Sequence, residues 1–278
     1  MLNELYQSLD PVAFSVGPVS VRWYGLAYIF GFLLVGVLMA RTAKRWKIDI
    51  DADTVLTILI GVMVGVIVGA RLGYCLFYGA GYYAQHPLEV LMLNQGGMSF
   101  HGGLIGALAS AIVTSRITGV PYLTLADLGA IAAPVGLFFG RCANFVNGEL
   151  WGAPTSLPWG VVFGGAAGNM PRHPSQLYEA LLEGVLIFIV LYALSRKVPP
   201  RPRGTFLGVF LVMYGICRVL MEFVRQPDAQ LGYLAGDWLT MGQVLSTPLI
   251  VIGIVLLVWA ARTKKPQLGV PDGGTETK

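Results

Sequence analysis

Seven stretches of about 20 mostly apolar residues limit what this chain can fold into more than any other feature. A helix of about 20 apolar residues is long enough to cross the hydrocarbon core of a bilayer. The predicted spans lie at about 21–40, 54–78, 98–116, 123–146, 175–195, 204–224 and 241–261. Charged residues make up only 12% of the 278 residues, about half the share found in a soluble domain. We therefore predict an all-α, polytopic integral membrane protein and exclude a soluble enzyme, a disordered chain and a disulfide-stabilised domain.

The basic residues predict the orientation of these spans, because Lys and Arg concentrate in short cytoplasmic loops. Thirteen of the 19 follow the first, third, fifth or seventh span, and they fall on one side if the spans alternate. The N-terminus is therefore predicted to lie outside and the C-terminus in the cytoplasm. We predict a single seven-helix transmembrane domain at 1–265, with outer loops at about 79–97 and 147–174, and a disordered cytoplasmic tail at 266–278.

The six remaining basic residues are all arginines, and they lie at the outer side or in the outer half of the spans. They are Arg22, Arg71, Arg141, Arg172, Arg218 and Arg225. A charge within a span costs about 2.5–3.5 kcal/mol on insertion scales, so Arg71, Arg141 and Arg218 are expected to face a polar cavity with an anionic partner. The guanidinium fork suits phosphate, which favours an anion site for the cluster. Internal ion pairs that only hold helices together stay open as the alternative, with Glu149, Glu179, Glu183 and Glu222 as the candidate partners.

Glycines in the second span indicate how it packs. Gly61, Gly65, Gly69 and Gly73 recur every four residues. Small residues at this spacing let two transmembrane helices approach closely. We interpret this face as a packing surface and not as a site of chemistry.

The densest group of polar residues lies at 140–152, around the outer end of the fourth span. Its polar members and final glycine are Arg141, Asn144, Asn147, Glu149 and Gly152. Asn144 and Asn147 share a helix face with Arg141. Such groups are costly within a membrane unless a cavity or a ligand satisfies them, so this motif is the first candidate for a functional site.

A second motif places His101 near the outer end of the third span, followed by two glycines that let a ligand approach closely. Because histidine titrates near neutral pH, it can take a proton from a thiol or a hydroxyl. An interfacial histidine that makes one structural hydrogen bond explains the same pattern, and both interpretations stay open.

A third motif predicts the start of the fifth span. Pro174 precedes Ser175, which predicts a helix that begins there with Ser175 as its cap. Glu179 and Glu183 then lie on one face of that helix.

Two more motifs bring polar residues to the outer side. The sixth span places Tyr214, Arg218, Glu222 and Arg225 on one helical stripe, so that the glutamate can orient the arginines. The outer end of the first span adds Tyr24, next to Arg22 and Trp23 in the sequence.

At these motifs the chain resembles the bacterial prolipoprotein diacylglyceryl transferases, and the resemblance extends from about residue 10 to residue 262. It implies seven spans with an outside N-terminus in the bacterial inner membrane. It also implies transfer of the diacylglyceryl group of phosphatidylglycerol to the lipobox cysteine of a prolipoprotein signal peptide, with release of glycerol phosphate. The product would be a thioether, formed at the periplasmic side as the first step of lipoprotein maturation.

The resemblance also implies roles for individual residues. Arg141 and Arg218 would stabilise negative charge on the leaving phosphate, and His101 would be the base that generates the thiolate. Headgroup-binding or orienting roles would fall to Tyr24, Arg141, Asn144, Asn147, Glu149, Gly152, Tyr214 and Glu222. No metal, nucleotide, other cofactor, nucleic acid or covalent enzyme intermediate is expected.

A different class of protein, a transporter or channel for an anionic or phosphorylated solute, is the alternative. Intramembrane arginines would then form its selectivity site. Two observations weigh against this alternative. The two halves of the chain show no inverted repeat, and the arginines are confined to the outer half, so that no polar path reaches the cytoplasm.

Overall fold

The computed structural model describes residues 1–77, 79, 81–93, 96–226, 233–236 and 239–268. Most of this part of the chain is helical. The helices are α1 (Leu2–Gln7), α2 (Trp23–Arg45), α3 (Ala52–Phe77), α4 (Tyr82–Gln85), α5 (Phe100–Thr118), α6 (Tyr122–Asn147), α7 (Ser175–Glu179), α8 (Ile187–Ser195), α9 (Thr205–Met221) and α10 (Met241–Thr263). Two short antiparallel hairpins pair β1 (Val12–Val16) with β2 (Val19–Arg22) and β3 (Tyr233–Ala235) with β4 (Leu239–Thr240).

Among the described residues, five helices are long and apolar enough to cross a membrane by length and composition. They are Trp23–Arg45, Ala52–Phe77, Tyr122–Asn147, Ser175–Ser195 and Met241–Thr263. Shorter apolar helices, Gly102–Thr118 and Thr205–Met221, occupy the other two predicted spans. A mostly helical fold of the membrane type, with little sheet, is therefore confirmed.

The outward faces of the long helices are apolar. On α10, for example, Val251, Ile254 and Val255 expose 55%, 50% and 60% of their surface. In water such a continuous apolar surface would drive association, whereas lipid tails solvate it at no cost. These faces therefore fit a hydrocarbon environment.

α3 and α5 pack closely through the glycine face, as the sequence predicts. A Cβ atom on Gly65 would lie 2.5 Å from the Gly106 carbonyl oxygen, and one on Gly73 would lie 2.8 Å from Gly102 Cα. Any side chain at these positions would push the two helices apart. The repeat every four residues is thus a helix–helix contact surface.

The fifth predicted span is one continuous helix, Ser175–Ser195, with a π-helical segment at Ala180–Leu186 between α7 and α8. The prediction that Ser175 caps this helix is wrong. Pro174 is the N-cap residue, and Ser175 Oγ donates a hydrogen bond to the Leu150 carbonyl oxygen at 3.0 Å. The hydroxyl therefore ties the start of α7 to the end of the 140–152 motif.

Asp127 joins α6 to the start of α9. Its carboxylate accepts hydrogen bonds from the backbone N–H groups of Gly204 and Leu207, each at 2.8 Å. The two helices run in the same direction from this junction. Arg141 follows Asp127 by 14 residues and Arg218 follows Gly204 by 14 residues. At a rise of about 1.5 Å per residue, both arginines reach the same depth, about 21 Å away.

Part of the predicted tail also packs against this junction. Gln267 is buried, and its Nε2 donates a hydrogen bond to Asp127 Oδ2 at 2.7 Å. The segment 266–268 is therefore in contact with the helices. The rest of the predicted tail, 269–278, lies outside the described residues.

The second outer loop folds back onto the N-terminal helix. Gln7 Nε2 donates to the Val162 carbonyl oxygen at 2.7 Å, and Val162 N–H donates to Asn3 Oδ1 at 2.9 Å. The Tyr6 ring makes edge contacts with Phe163 of the loop and with Phe145 of α6. The loop is thereby held over the C-terminal end of α6.

Candidate active site

The C-terminal end of α6 carries the 140–152 motif. The helix ends at Asn147, and Gly148 follows with a φ of 67°, a left-handed conformation that glycine adopts without strain. Asn144 Nδ2 donates to Glu149 Oε1 at 2.7 Å. Asn147 Oδ1 is buried and has no hydrogen-bond partner among the described residues. A buried acceptor of this kind is available to a ligand that brings a donor.

Arg141 of α6 and Arg218 of α9 converge on two glutamates of the span that begins with α7. Arg141 Nε lies 2.7 Å from Glu179 Oε2, and its Nη2 lies 3.3 Å from Glu183 Oε2. Arg218 Nη1 lies 3.4 Å from Glu179 Oε1 and 3.9 Å from Glu183 Oε1. Each glutamate therefore contacts both arginines. The internal ion pairs that the sequence left open are observed for both residues.

Glu222 extends this cluster at the end of α9. Arg218 Nη2 donates a short hydrogen bond to Glu222 Oε1, and Arg225 Nη1 lies 4.0 Å from the same oxygen. Thr240 Oγ1 donates to Glu222 Oε2 at 2.7 Å. The predicted stripe on the sixth span is thus one connected set of charges. We call Arg141, Arg218, Arg225, Glu179, Glu183 and Glu222 the arginine–glutamate cluster.

Gly152 lies where three segments meet. Its N–H donates to the His173 carbonyl oxygen at 2.9 Å, and its backbone pairs with that of Arg225. A Cβ atom at this position would lie 2.6 Å from both His173 Cβ and the Val224 carbonyl oxygen. No other residue type fits this crossing, so Gly152 joins the loop around the end of α6 to the loops that precede α7 and follow α9.

The tyrosines predicted for the site lie next to it. Tyr214 lies within electrostatic range of Arg141, Arg218 and the two α7-span glutamates. Tyr24 lies within electrostatic range of Arg141 and Glu149, and its hydroxyl is 3.1 Å from that of Tyr28.

Arg71 stands apart from the cluster, and the expectation of an anionic partner is wrong for it. Its guanidinium donates to the backbone carbonyl oxygens of Glu89, Val90, Gly96 and Gly97, at 2.6, 2.8, 2.5 and 3.2 Å. The guanidinium fork carries five donors, and a folded-back loop satisfies it with neutral acceptors. Arg71 thus holds the first outer loop against α3.

His101 cannot be placed in the same detail. Its backbone lies in the first turn of α5, directly after Phe100. Its side chain lies outside the described part of the structure. The assignment of His101 as the base therefore stays a prediction.

Comparison with known proteins identifies the family. A sequence model of the prolipoprotein diacylglyceryl transferase family matches residues 11–259. The chain belongs to this family. It is 48% identical over 256 residues to a protein of Nitratidesulfovibrio vulgaris (strain DP4) named phosphatidylglycerol–prolipoprotein diacylglyceryl transferase, covering 91% of this chain and 95% of the relative.

Two further relatives carry the same name. The Geobacter sulfurreducens protein is 46% identical over 259 residues, which cover 93% of this chain and 98% of the relative. The Aliivibrio fischeri protein is 45% identical over 274 residues, which cover 98% of each. None of these names supports the solute-transport alternative.

One residue that contacts the arginine–glutamate cluster was not singled out from the sequence. Thr240 is buried and bonds Glu222 from the start of α10. The sequence signal at Thr240 is that of a helix start, because Thr240 and Gln243 form a capping box. A capping box predicts only the helix boundary, and the contact with Glu222 depends on how α9 and α10 pack.

A partly buried imidazole lies at the edge of the candidate site. Partial burial lowers the pKa of His173 below its usual range, and its Nδ1 lies 3.4 Å from Tyr178 Oη. Burial therefore disfavours the charged form of the ring. His173 belongs to the Gly152 crossing through its backbone.

Proposed function

We propose that the chain transfers the diacylglyceryl group of phosphatidylglycerol to the lipobox cysteine thiol of prolipoproteins, forming a thioether and releasing glycerol phosphate. One observation carries the proposal. Two arginines on separate helices, Arg141 and Arg218, converge in one cluster at the outer end of an apolar bundle. The printed names of the relatives support the same two substrates.

The reaction is a substitution at a glyceryl carbon. The thiol sulfur forms a bond to that carbon, the carbon–oxygen bond breaks, and the phosphate leaves with the bonding electrons. The thiolate is the nucleophile, and we assign His101 as the base that takes the thiol proton. Negative charge grows on the phosphate as it leaves. Guanidinium groups held in a site of low dielectric stabilise such charge strongly, and this is the role we assign to Arg141 and Arg218.

The remaining predicted residues would bind or orient the lipid headgroup. Asn147 has a free buried acceptor that suits a glycerol hydroxyl. Asn144 and Glu149 bond each other beside it. Tyr24 lies near this pair and Tyr214 near the arginines. Glu222 and Gly152 would act through other residues and not on the lipid itself. Glu222 orients Arg218, and Gly152 lets three segments pack together next to the site.

We also propose that the chain crosses the bacterial inner membrane seven times, with its N-terminus and its site on the periplasmic side. A helix lies in each of the seven predicted ranges within the described part of the chain. The basic residues between spans support the orientation. Two hydrophobic substrates, a two-chain lipid and a signal-peptide helix, would then reach the site from within the bilayer.

Purified protein in detergent, phosphatidylglycerol and a lipobox peptide provide the test. The measured quantities are glycerol phosphate release and the mass of the peptide, with Arg141→Ala and a Cys→Ser peptide as controls. We expect release that requires both Arg141 and the peptide thiol, together with a mass gain of one diacylglyceryl group. Folded, lipid-binding protein that releases no glycerol phosphate but moves an anionic solute across sealed vesicles would contradict the proposal.

A further inference from the structure

The arginine–glutamate cluster is electrically balanced. In the described part of the chain it contains three guanidinium groups, of Arg141, Arg218 and Arg225, and three carboxylates. Its formal charge is zero when all six groups are ionised. A site that only had to attract a phosphate would not need this many internal anions, because each one offsets an arginine.

The charges of the cluster are layered. The side chains of Glu179 and Glu183 are 1% and 0% exposed, whereas those of Arg141 and Arg218 are 16% and 11% exposed. The accessible surface of these four side chains therefore belongs almost entirely to the two arginines, and a ligand that enters from that side meets the arginine side chains before the carboxylates. The two carboxylates stay behind them, close enough to act on the ligand through the electric field and too deep to be displaced into solvent.

The reaction changes the charge that the cluster faces. Phosphatidylglycerol presents a phosphodiester with one negative charge. The leaving group is a phosphomonoester with a charge of about −1.5 to −2 at pH 7. Arginines that stabilise the developing charge also bind this product. An uncompensated pair of guanidinium groups in a site of low dielectric would retain the product, and release would then limit turnover.

We propose that Glu179 and Glu183 are the counter-charges that weaken binding of the glycerol phosphate product, so that it leaves the arginines after each turnover. The proposal rests on the proposed function. The two carboxylates repel a doubly charged product about twice as strongly as a singly charged phosphodiester at the same distance. They therefore weaken product binding more than substrate binding.

A purely structural role for these glutamates predicts the opposite sign. If Glu179 and Glu183 only held Arg141 and Arg218 in place, their loss would let the guanidinium groups move, and phosphate binding would weaken. If they act as counter-charges, removal of one charge strengthens phosphate binding. The direction of the change in affinity separates these two roles.

The test compares Glu183→Gln with the wild-type chain, using glycerol phosphate as the probe. We expect its inhibition constant and its dissociation constant in calorimetry to fall by at least about tenfold. The KM for phosphatidylglycerol should fall less, and kcat should fall because the product leaves more slowly. Glu183→Asp, which keeps the charge, should restore wild-type product affinity.

Two further variants complete the design. Glu179→Gln tests the same inference at the other buried carboxylate. If Glu183→Gln does not fold, Glu179→Gln alone provides the test. Glu4→Gln removes the same charge at a side chain that is 85% exposed on the N-terminal helix, and it should leave the inhibition constant unchanged. Unchanged or weaker glycerol phosphate binding in the glutamine variants would overturn the inference.

Failure of the proposed function has a different signature. A wild-type chain that neither transfers the lipid group nor binds glycerol phosphate would overturn the proposed function itself. A wild-type chain that does both, with glutamine variants of unchanged or lower affinity, would overturn only the counter-charge inference. Calorimetry makes the distinction without requiring turnover.

Discussion

Arg218 is the residue with the most demanding set of contacts in the site. One of its terminal nitrogens faces Glu179 and Glu183, and the other donates to Glu222. Only a planar group with several fixed donors can serve partners in these directions at once. The side chain is thereby held in a single orientation before any substrate arrives.

This geometry predicts that Arg218→Lys is not a conservative change. Lysine keeps the positive charge but has one nitrogen, so it cannot face both sets of carboxylates. We expect transferase activity to fall by about 10²-fold or more, as when one positioned donor to a developing anion is lost. Glycerol phosphate release is the measurement. Arg116→Lys, at an exposed arginine near the end of α5, should retain wild-type activity, and an active Arg218→Lys would contradict the reasoning.

Gly152→Ala tests the backbone crossing. The added methyl group would lie 2.6 Å from His173 Cβ, so three segments would have to separate. Overpacking of this kind costs about 1–3 kcal/mol, and we expect a lower melting temperature together with loss of activity. Gly140→Ala is the matched control, because a Cβ atom there meets nothing within 4 Å. Equal stability of the two variants would contradict the steric argument.

The sequence predicted that Glu222 lies beside Arg218 and Arg225, and it named the candidate partners of the buried arginines, but it did not decide among those partners. Arg141 and Arg218 stand out because a charge in a span needs a reason. Their choice of Glu179 and Glu183 depends on how α6, α9 and the α7 span pack, which no local pattern records. Arg71 shows the same limit, because its carbonyl partners come from a loop about 20 residues away in the sequence.

At the scale of elements, Asp127 determines how the two arginine-bearing helices are aligned. It offers both carboxylate oxygens to the start of α9, where backbone N–H groups lack partners within the helix. The partial positive charge of a helix N-terminus favours an anion at this place. A shift of α9 along its axis would separate Arg218 from Glu179, so the junction supports the site from its far end.

Asp127→Asn should therefore destabilise the protein. An amide cannot accept from both backbone groups without presenting its own donors to one of them. We expect the free energy of unfolding to fall by about 1.5–3 kcal/mol, the range for a hydrogen bond to a charged group. Denaturation of the detergent-solubilised protein measures it. Gln267→Asn is the matched control, because it withdraws only the tail's bond to Asp127 and should cost less; an equal loss would contradict the junction's role.

Long helices were the most predictable elements. Their limits follow from the length of each apolar run: α3 spans Ala52–Phe77 against a prediction of about 54–78. Short-range chemistry was less reliable. The helix at Ser175 begins where Pro174 predicts, yet the serine bonds another segment and does not cap. α9 ends at Met221, before the predicted limit, and Glu222 directly after it bonds Arg218 and Thr240.

At the scale of the whole molecule, the two ends of the helices carry different sets of charged residues. The arginine–glutamate cluster and the Asn144–Glu149 pair lie towards one end of the helices. The described basic residues that follow the first, third, fifth and seventh predicted spans lie at or after the C-terminal ends of α2, α5, α8 and α10. The apolar faces between these ends match a hydrocarbon layer. The apolar helices therefore form a scaffold of the membrane type, and the arginine–glutamate cluster lies towards one end of it.

Cysteine labelling tests this orientation. Glu4 lies on the N-terminal helix beside the outer loop, and Arg262 lies in the last turn of α10. In a chain without its own three cysteines, Glu4→Cys should react with a membrane-impermeant maleimide in spheroplasts. Arg262→Cys should react only after the membrane is permeabilised, because the basic residues around it favour the cytoplasmic side.

A third position makes the labelling result decisive. Val251→Cys replaces a residue that is 55% exposed in the middle of α10. If lipid covers this face, the thiol should stay unlabelled in both conditions, because a maleimide that cannot enter the bilayer cannot reach it. If Val251→Cys reacts as fast as Glu4→Cys, water reaches this face of α10. That result would contradict a lipid-facing position for the exposed apolar surface. Labelling of Arg262→Cys in intact spheroplasts would invert the orientation and place the arginine–glutamate cluster in the cytoplasm, where the proposed periplasmic reaction could not occur.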